Sequence, residues 1–125
     1  MQKDLLESLS IKMSDKKIRG GSLIARALRD KGIENVFTLS GGFCNPALEG
    51  LMECQIDVIN CPHEQIAGHI ADGHTRITRK PAVCLVGPEG FANAVPSMME
   101  AWGERSPVIF ITGSSSLRRQ GSGCL

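Results

Sequence analysis

Four short apolar runs alternate with longer segments whose apolar residues recur at helical spacing. The runs cover residues 35–39 (NVFTL), 56–60 (IDVIN), 82–87 (AVCLVG) and 108–112 (VIFIT). Short, continuous apolar runs are typical of parallel strands that helices cover on both faces. The pattern therefore predicts an α/β fold with a three-layer α/β/α arrangement, a parallel sheet and right-handed crossovers.

The segment before the first run predicts a helix that begins at Ser22 and ends before Gly32. Serine is a good N-cap residue, and glycine commonly follows the last turn of a helix. We expect this helix to direct four apolar side chains towards the core, namely Leu23, Ile24, Ala27 and Leu28.

Proline positions locate the other predicted helices. Asn45 and Pro46 predict a second helix, with Asn45 as its cap and Pro46 at its first helical position. Pro62 opens a third helix that runs to about Thr78, and Pro96 is expected in the first two turns of a fourth helix. The second helix is expected to direct inward Leu48, Leu51 and Met52.

The charge balance and the cysteine spacing narrow the classes of protein that fit this sequence. Lys plus Arg is 14 and Asp plus Glu is 13, so the basic excess of a typical nucleic-acid binder is missing. No apolar run is long enough to span a membrane, and residues 1–18 lack the apolar core of a signal peptide. We therefore predict a cytoplasmic protein in which residues 1–18 form a flexible N-terminal extension. The five cysteines form no C-x-x-C pair and are expected to be reduced and mostly buried, with a catalytic thiol as the alternative.

All three histidines and one glutamate lie in the segment CPHEQIAGHIADGH, residues 61–74. A zinc-protease helix needs two histidines four residues apart, as in H-E-x-x-H, so that both lie on one face. On a helix, His63 and His69 would be roughly 240° apart, and His74 would lie roughly 16 Å from His63 along the axis. We therefore predict no local zinc site and expect His69 and His74 at surface or partly buried helix positions.

Glu64 follows the second strand and stands in the first turn of the third helix, a position with two interpretations. An acid in the first turn of a helix complements the helix dipole. A partly buried carboxylate beyond the carboxyl ends of parallel strands, where ligands of such sheets bind, is suited to proton transfer. Three loops are expected at that edge, SGGF (40–43), CPHE (61–64) and GPEGFAN (87–93). The residues alone leave both interpretations open.

Four segments lie in order between residues 19 and 116: SLIARALRDKGIENVFTLSGG, PHEQIAGHIADGHTR, RKPAVCLVGPEGFANAV and SPVIFITG. Together they resemble the N-terminal pyrimidine-binding domain of thiamine-diphosphate-dependent enzymes, in the branch of acetolactate synthase, pyruvate oxidase and benzoylformate decarboxylase. The resemblance implies part of an enzyme that acts on 2-oxo acids, with acetolactate synthase-like carboligation after decarboxylation as the nearest activity. The alternatives are a 2-oxo acid decarboxylase, its separately encoded subunit, or a non-catalytic, truncated α/β binding module.

The same resemblance implies roles for individual residues. Glu64 matches the catalytic glutamate that hydrogen-bonds N1′ of the cofactor's aminopyrimidine ring and so helps the thiazolium ring to lose its C2 proton. Gly41 and Gly42 match paired glycines after the first strand, and Gly90 and Asn93 match a loop near the pyrimidine. With Glu64, these four residues are the expected cofactor-binding residues, and no metal ligand is assigned.

Three positions depart from the family pattern and bear on the substrate and reaction rather than on the fold. Ser40 stands where proline is usual, and His74 stands where tyrosine is common. The third loop is one residue shorter than the usual pattern and contains Glu89 as an insertion.

The resemblance also implies parts that this sequence does not contain. The family binds Mg²⁺ and the cofactor's diphosphate on a second domain with a Gly-Asp-Gly…Asn motif, which residues 1–125 lack. We expect residues 19–125 to form a pyrimidine-binding domain truncated at its C-terminal end. Because the family's active site lies between subunits, we expect a homodimer, a higher homo-oligomer or a metal-binding partner subunit, and an inactive isolated chain. A flavin is undecidable, because some relatives carry one on a domain missing here.

Overall fold

The computed structural model describes residues 18–119 and 121–122. The predicted extension at residues 1–18 lies outside the described residues except for Ile18, and Cys124 lies outside them too. The helices are α1 (Gly20–Asp30), α2 (Asn45–Glu53), α3 (Glu64–Thr78) and α4 (Pro88–Gly103), and the strands are β1 (Asn35–Thr38), β2 (Asp57–Asn60), β3 (Ala82–Val86) and β4 (Val108–Thr112). Within this part of the chain, none of the helices combines the length and the apolar character that crossing a membrane requires.

The strands form one parallel sheet in the order β2-β1-β3-β4. Successive side chains of a strand point to opposite faces, so the sheet divides the core in two. On one face Val36 and Val83 pack with residues of α1 and α2. On the other face Phe37 and Cys84 pack with residues of α3 and α4. The predicted α/β fold with a parallel sheet between two helical layers is confirmed.

The strands differ in how completely they are buried. Every residue of β3 is buried, as its apolar run predicts. The edge strands β2 and β4 are largely exposed or half-buried, and Ile109 is 44% exposed. An edge strand has a neighbouring strand on one side only, so fewer atoms cover its side chains. The expectation that helices cover both faces of every strand therefore holds for β3 but not for β2 and β4.

Helix α1 begins earlier and buries a different face than the sequence predicts. It starts at Gly20, and Ser22 is a buried residue inside it whose hydroxyl donates to Oε2 of Glu53 at 3.1 Å. The N-cap prediction for Ser22 is therefore wrong. The small residues of α1 allow α2 to approach closely, and the buried face of α1 consists of Gly21, Ser22, Ala25 and Leu28. Three of the four residues predicted to face inward are exposed, namely Leu23, Ile24 and Ala27.

Helices α2, α3 and α4 also differ from the predictions at their ends. A 3₁₀ turn at Gly42–Cys44 leads into α2, so Cys44 rather than Asn45 is the N-cap residue. The predicted start of α3 at Pro62 is wrong, because His63 caps a helix that begins at Glu64. Two further predictions are wrong: Pro96 lies inside α4, beyond its first two turns, and Met52 of α2 is 64% exposed.

A network of charged side chains joins α3 to α4. Arg76 bonds both carboxylate oxygens of Asp72, at 3.1 and 2.7 Å, and its guanidinium also lies 3.4 Å from Glu100 and 3.6 Å from Glu104. Asp72 is buried, whereas Arg76 is partly exposed. Burial raises the pKa of Asp72, but hydrogen bonds from Arg76 and Ser106 outweigh it and hold that pKa below its usual range.

We expect Asp72 to make the fold sensitive to acid. A carboxylate with a lowered folded-state pKa stabilises the protein above its unfolded pKa of about 3.9, and the stabilisation is lost as the pH falls through the folded pKa. The free energy of unfolding should therefore fall as the pH is lowered from about 5. Denaturant titrations at several pH values measure this, with Asp72→Asn as the comparison. An equally steep acid loss in Asp72→Asn would contradict the assignment.

Candidate active site

Three loops meet at the carboxyl edge of the sheet, and hydrogen bonds tie them together. The amide of Ser40 donates to Oδ1 of Asn60 at 3.1 Å, which links the loop after β1 to the end of β2. The amide of Cys61 donates to the carbonyl of Thr38 at 2.6 Å. These bonds join the loops after β1 and β2, and the loop after β3 leaves the same edge because β3 runs parallel to β1, as the sequence predicts.

Glu64 lies at this edge in a partly buried position. Its side chain is 15% exposed, and Nδ2 of Asn93 donates to its Oε2 at 3.2 Å. The nearest histidine nitrogen, Nε2 of His63, is 3.9 Å from the same oxygen. Glu64 begins α3 and Asn93 belongs to α4, so the two predicted site residues come together across neighbouring helices.

Gly90 creates the space that the Glu64 carboxylate occupies. A Cβ atom on Gly90 would lie 2.4 Å from Oε1 of Glu64 and 2.7 Å from its Cδ, closer than atoms can approach. Oε1 has no hydrogen-bond partner among the described residues, whereas Oε2 is bonded by Asn93. A carboxylate oxygen that has no partner among the described residues, on a side chain that is 15% exposed, is suited to share a proton with a bound ring nitrogen.

Gly41 and Gly42 form a second part of the edge. With Phe43, Gly87 and Glu89 they line an open pocket of about 380 Å³. Both glycines leave open space where a side chain would stand, because no atom of the described residues beyond the chain neighbours lies within 4 Å of the position that a Cβ atom would take on either of them. Glu89, one of the three departures from the family pattern, also lines this pocket, and its Oε2 would lie 3.2 Å from a Cβ atom on Gly87.

The cysteines do not offer a reactive thiol in the described residues. Cys44, Cys54, Cys61 and Cys84 are all free and buried, as predicted. Burial raises the pKa of Cys84 to about 12, and it also raises the pKa values of Cys44 and Cys61. These thiols stay protonated at neutral pH, whereas a cysteine nucleophile needs its thiolate form.

The three histidines have separate surroundings. His63 caps α3, since its Nδ1 accepts from the amide of Gln65 at 3.2 Å. His69 is exposed, and the ring of half-buried His74 lies 5.5 Å from that of Phe37. The predicted positions of His69 and His74 are confirmed. In the described part of the chain, no group of three or more His, Cys, Asp or Glu residues could hold a metal ion.

Two contacts of the site were not predicted from the sequence. The capping role of His63 has a sequence signal, because it directly precedes an acidic first helical turn. The bond between Asn93 and Glu64 joins residues 29 positions apart and has no local signal.

Known proteins that match the chain cover nearly all of it. The family described as thiamine pyrophosphate enzyme, N-terminal TPP binding domain, matches residues 18–125. The acetolactate synthase large subunit of Mycobacterium tuberculosis is 38% identical over 109 residues, which are 86% of this chain and 20% of that protein. The 2-hydroxyacyl-CoA lyase 2 of Danio rerio is 34% identical over 108 residues, 85% of this chain and 17% of that protein. The chain thus spans about a fifth of the length of these relatives.

A solved structure agrees with the fold. The thiamine diphosphate-dependent 4-hydroxybenzoylformate decarboxylase of Rhodococcus jostii superposes with a TM-score of 0.77 at 21% identity, over 84% of this chain and 20% of that chain. At this identity the likeness concerns the fold alone. Because the family match covers residues 18–125, the resemblance seen in the sequence is confirmed, and the chain belongs to the thiamine pyrophosphate enzyme family through its N-terminal TPP binding domain.

Proposed function

We propose that this chain is the pyrimidine-binding part of a thiamine-diphosphate-dependent enzyme that acts on 2-oxo acids, with Glu64 as its catalytic carboxylate. The observation that carries the proposal is the setting of Glu64 at the carboxyl edge of the sheet. Its side chain is 15% exposed, one oxygen is bonded by Asn93, and the other has no hydrogen-bond partner among the described residues. A partly desolvated carboxylate with a free oxygen can hold a proton at a ring nitrogen with little competition from water.

The residues of the edge fit an aminopyrimidine ring. Oε1 of Glu64 supplies a carboxyl oxygen that can share a proton with the ring nitrogen, and Gly41 and Gly42 leave room for close approach of a ring to the backbone. Thiamine diphosphate, when bound, supplies an electron sink for the decarboxylation of a 2-oxo acid. In this proposal Glu64, Gly41 and Gly42 face the pyrimidine with Gly90 and Asn93 directly behind Glu64, and a domain outside residues 1–125 holds Mg²⁺ and the diphosphate.

The reaction that we propose first is acetolactate synthase-like carboligation after decarboxylation. Relatives named acetolactate synthase are 34–38% identical to this chain, while a relative named 2-hydroxyacyl-CoA lyase 2 is 34% identical. The closely similar identities keep lyase or decarboxylase chemistry as the second candidate.

We also propose that another subunit or domain covers the outer face of the α3–α4 layer. Solvent-facing helix surfaces are normally polar, and contiguous exposed apolar residues mark contact surfaces. Here the residues opposite the buried faces of α3 and α4 are apolar and more than a third exposed: Ile66, Ile70, Ile77, Phe91, Val95, Met99 and Trp102. A homodimer or a metal-binding partner subunit would bury this surface, and the chain alone would not turn over.

We expect the isolated chain to bind the pyrimidine half of the cofactor, weakly and at the Glu64 edge. Titration of the ¹⁵N-labelled chain with 4-amino-5-hydroxymethyl-2-methylpyrimidine should shift the amide resonances of Glu64, Gly90 and Asn93. The thiazole half of the cofactor, 4-methyl-5-(2-hydroxyethyl)thiazole, is the control ligand and should leave them unchanged, because the proposal assigns this chain no thiazole contact. Unchanged resonances with the pyrimidine, or equal shifts with both ligands, would argue against the proposed function.

A further inference from the structure

The two carboxylate oxygens of Glu64 have unequal surroundings. Oε2 accepts a hydrogen bond from Nδ2 of Asn93 at 3.2 Å and lies 3.9 Å from Nε2 of His63. Oε1 lies against Gly90, in space that a Cβ atom would fill, and has no bond among the described residues. The donors therefore gather at one oxygen and leave the other available.

The cap of α3 fixes which nitrogen of His63 faces Glu64. Nδ1 of His63 accepts from the amide of Gln65 at 3.2 Å, so a neutral ring carries its proton on Nε2. Nε2 is the atom 3.9 Å from Oε2 of Glu64. That separation exceeds a hydrogen bond, so His63 adds an N–H dipole near Oε2 without replacing the bond from Asn93.

Resting on the proposed function, we propose that Asn93 is a positioning residue for Glu64 and makes no contact of its own with the cofactor. Asn93 holds Oε2, which turns Oε1 towards the ligand edge. Gly90 acts in the same way, since its missing side chain lets the carboxylate lie against α4. This reassigns Gly90 and Asn93, which the family resemblance places among the cofactor-binding residues, to the support of the catalytic carboxylate.

A double-mutant cycle in the assembled enzyme tests whether Asn93 acts through Glu64. At saturating thiamine diphosphate, Asn93→Ala should slow exchange of the C2 proton by about 10-fold to 100-fold, the range for losing one hydrogen bond to a charged group. The cofactor concentration needed for half-saturation should stay unchanged. In a Glu64→Ala background, Asn93→Ala should have no further effect. A further loss in that background, or weaker cofactor binding by Asn93→Ala, would overturn the proposal.

A second measurement does not depend on the proposed function. In the ¹⁵N-labelled chain without any ligand, Glu64→Ala should move the side-chain amide resonances of Asn93, because it removes their acceptor. Glu100→Ala, an exposed acid on the same helix as Asn93, is the control and should leave them in place. Unmoved resonances in Glu64→Ala would refute the contact itself. Moved resonances together with failed pyrimidine binding would instead count against the proposed function alone.

The Gly90→Ala variant gives an independent test of the space beside Oε1. The added methyl group would displace Glu64, whose flexible side chain can move, so the fold should survive. Thermal melting should therefore change little, while C2 proton exchange slows as in Asn93→Ala. Normal exchange in a folded Gly90→Ala variant would overturn the positioning role of Gly90.

Discussion

Replacement of Glu64 by glutamine is expected to slow the loss of the C2 proton from bound thiamine diphosphate by about 10²–10⁴-fold in the assembled enzyme, the usual contribution of a general acid or base. Glutamine matches glutamate in size and can still accept from Asn93, but it cannot share a proton with a ring nitrogen. Turnover should therefore fall much more than cofactor affinity. Deuterium exchange at C2, followed by NMR after acid quenching at saturating cofactor, measures the proton step directly.

A charge-matched control separates this effect from a general loss of negative charge. Glu100→Gln makes the same chemical change at an exposed position in the last turn of α4, whereas Gly90 and Asn93 lie in the first half of that helix. We expect wild-type exchange and turnover from it. Wild-type exchange in Glu64→Gln would mean that the carboxylate does not act on the proton, whatever its position at the sheet edge.

The layered fold could be predicted from the sequence because its signals are local. The run AVCLVG is apolar at every position of β3, and only the middle of a covered sheet provides such surroundings. Gly32 ends the first helical segment with φ +76°, a backbone conformation that glycine adopts at little cost. Such features need no knowledge of distant parts of the chain.

The errors arose where distant residues decide the outcome. Leu23 and Ile24 are apolar, but the buried side of α1 is set by the close approach of α2 rather than by the most apolar stripe. The run VIFIT has the composition of a central strand, but the sheet order places it at an edge. Strand order and helix contact faces depend on pairings across the whole chain, which the pattern of apolar residues alone does not specify.

In the candidate site, too, local features could be predicted from the sequence and long-range contacts could not. The position of Glu64 after an apolar strand is visible in the sequence, and the family resemblance gives it a role. The role of Asn93 differs, because the resemblance places it near the cofactor while the structure shows its amide bonded to Oε2 of Glu64. A motif identifies residues that belong to a site, and coordinates identify which of them touch each other.

Replacement of Gly21 by alanine is expected to lower the free energy of unfolding by about 3 kcal/mol, at the upper end of the usual cost of overpacking. A Cβ atom there would lie 1.9 Å from the carbonyl oxygen of Pro46 and 2.7 Å from the amide nitrogen of Ala47. These are backbone atoms of α2 and cannot rotate away, so the two helices would have to separate. Because α1 and α2 together cover one face of the sheet, their separation would loosen the packing against Val36 and Val83.

The adjacent glycine provides the matched control, because the same chemical change meets no obstacle there. Among the described residues, no atom beyond its chain neighbours and its own helix backbone lies within 4 Å of a Cβ atom placed on Gly20, and its φ lies outside the left-handed region. Gly20→Ala should therefore raise the free energy of unfolding by up to about 1 kcal/mol, since alanine favours the helix more than glycine does. Chemical denaturation of both variants measures the difference. Equal stability of Gly21→Ala and Gly20→Ala would contradict the close contact between α1 and α2. It would also remove the explanation given above for the exposure of Leu23 and Ile24.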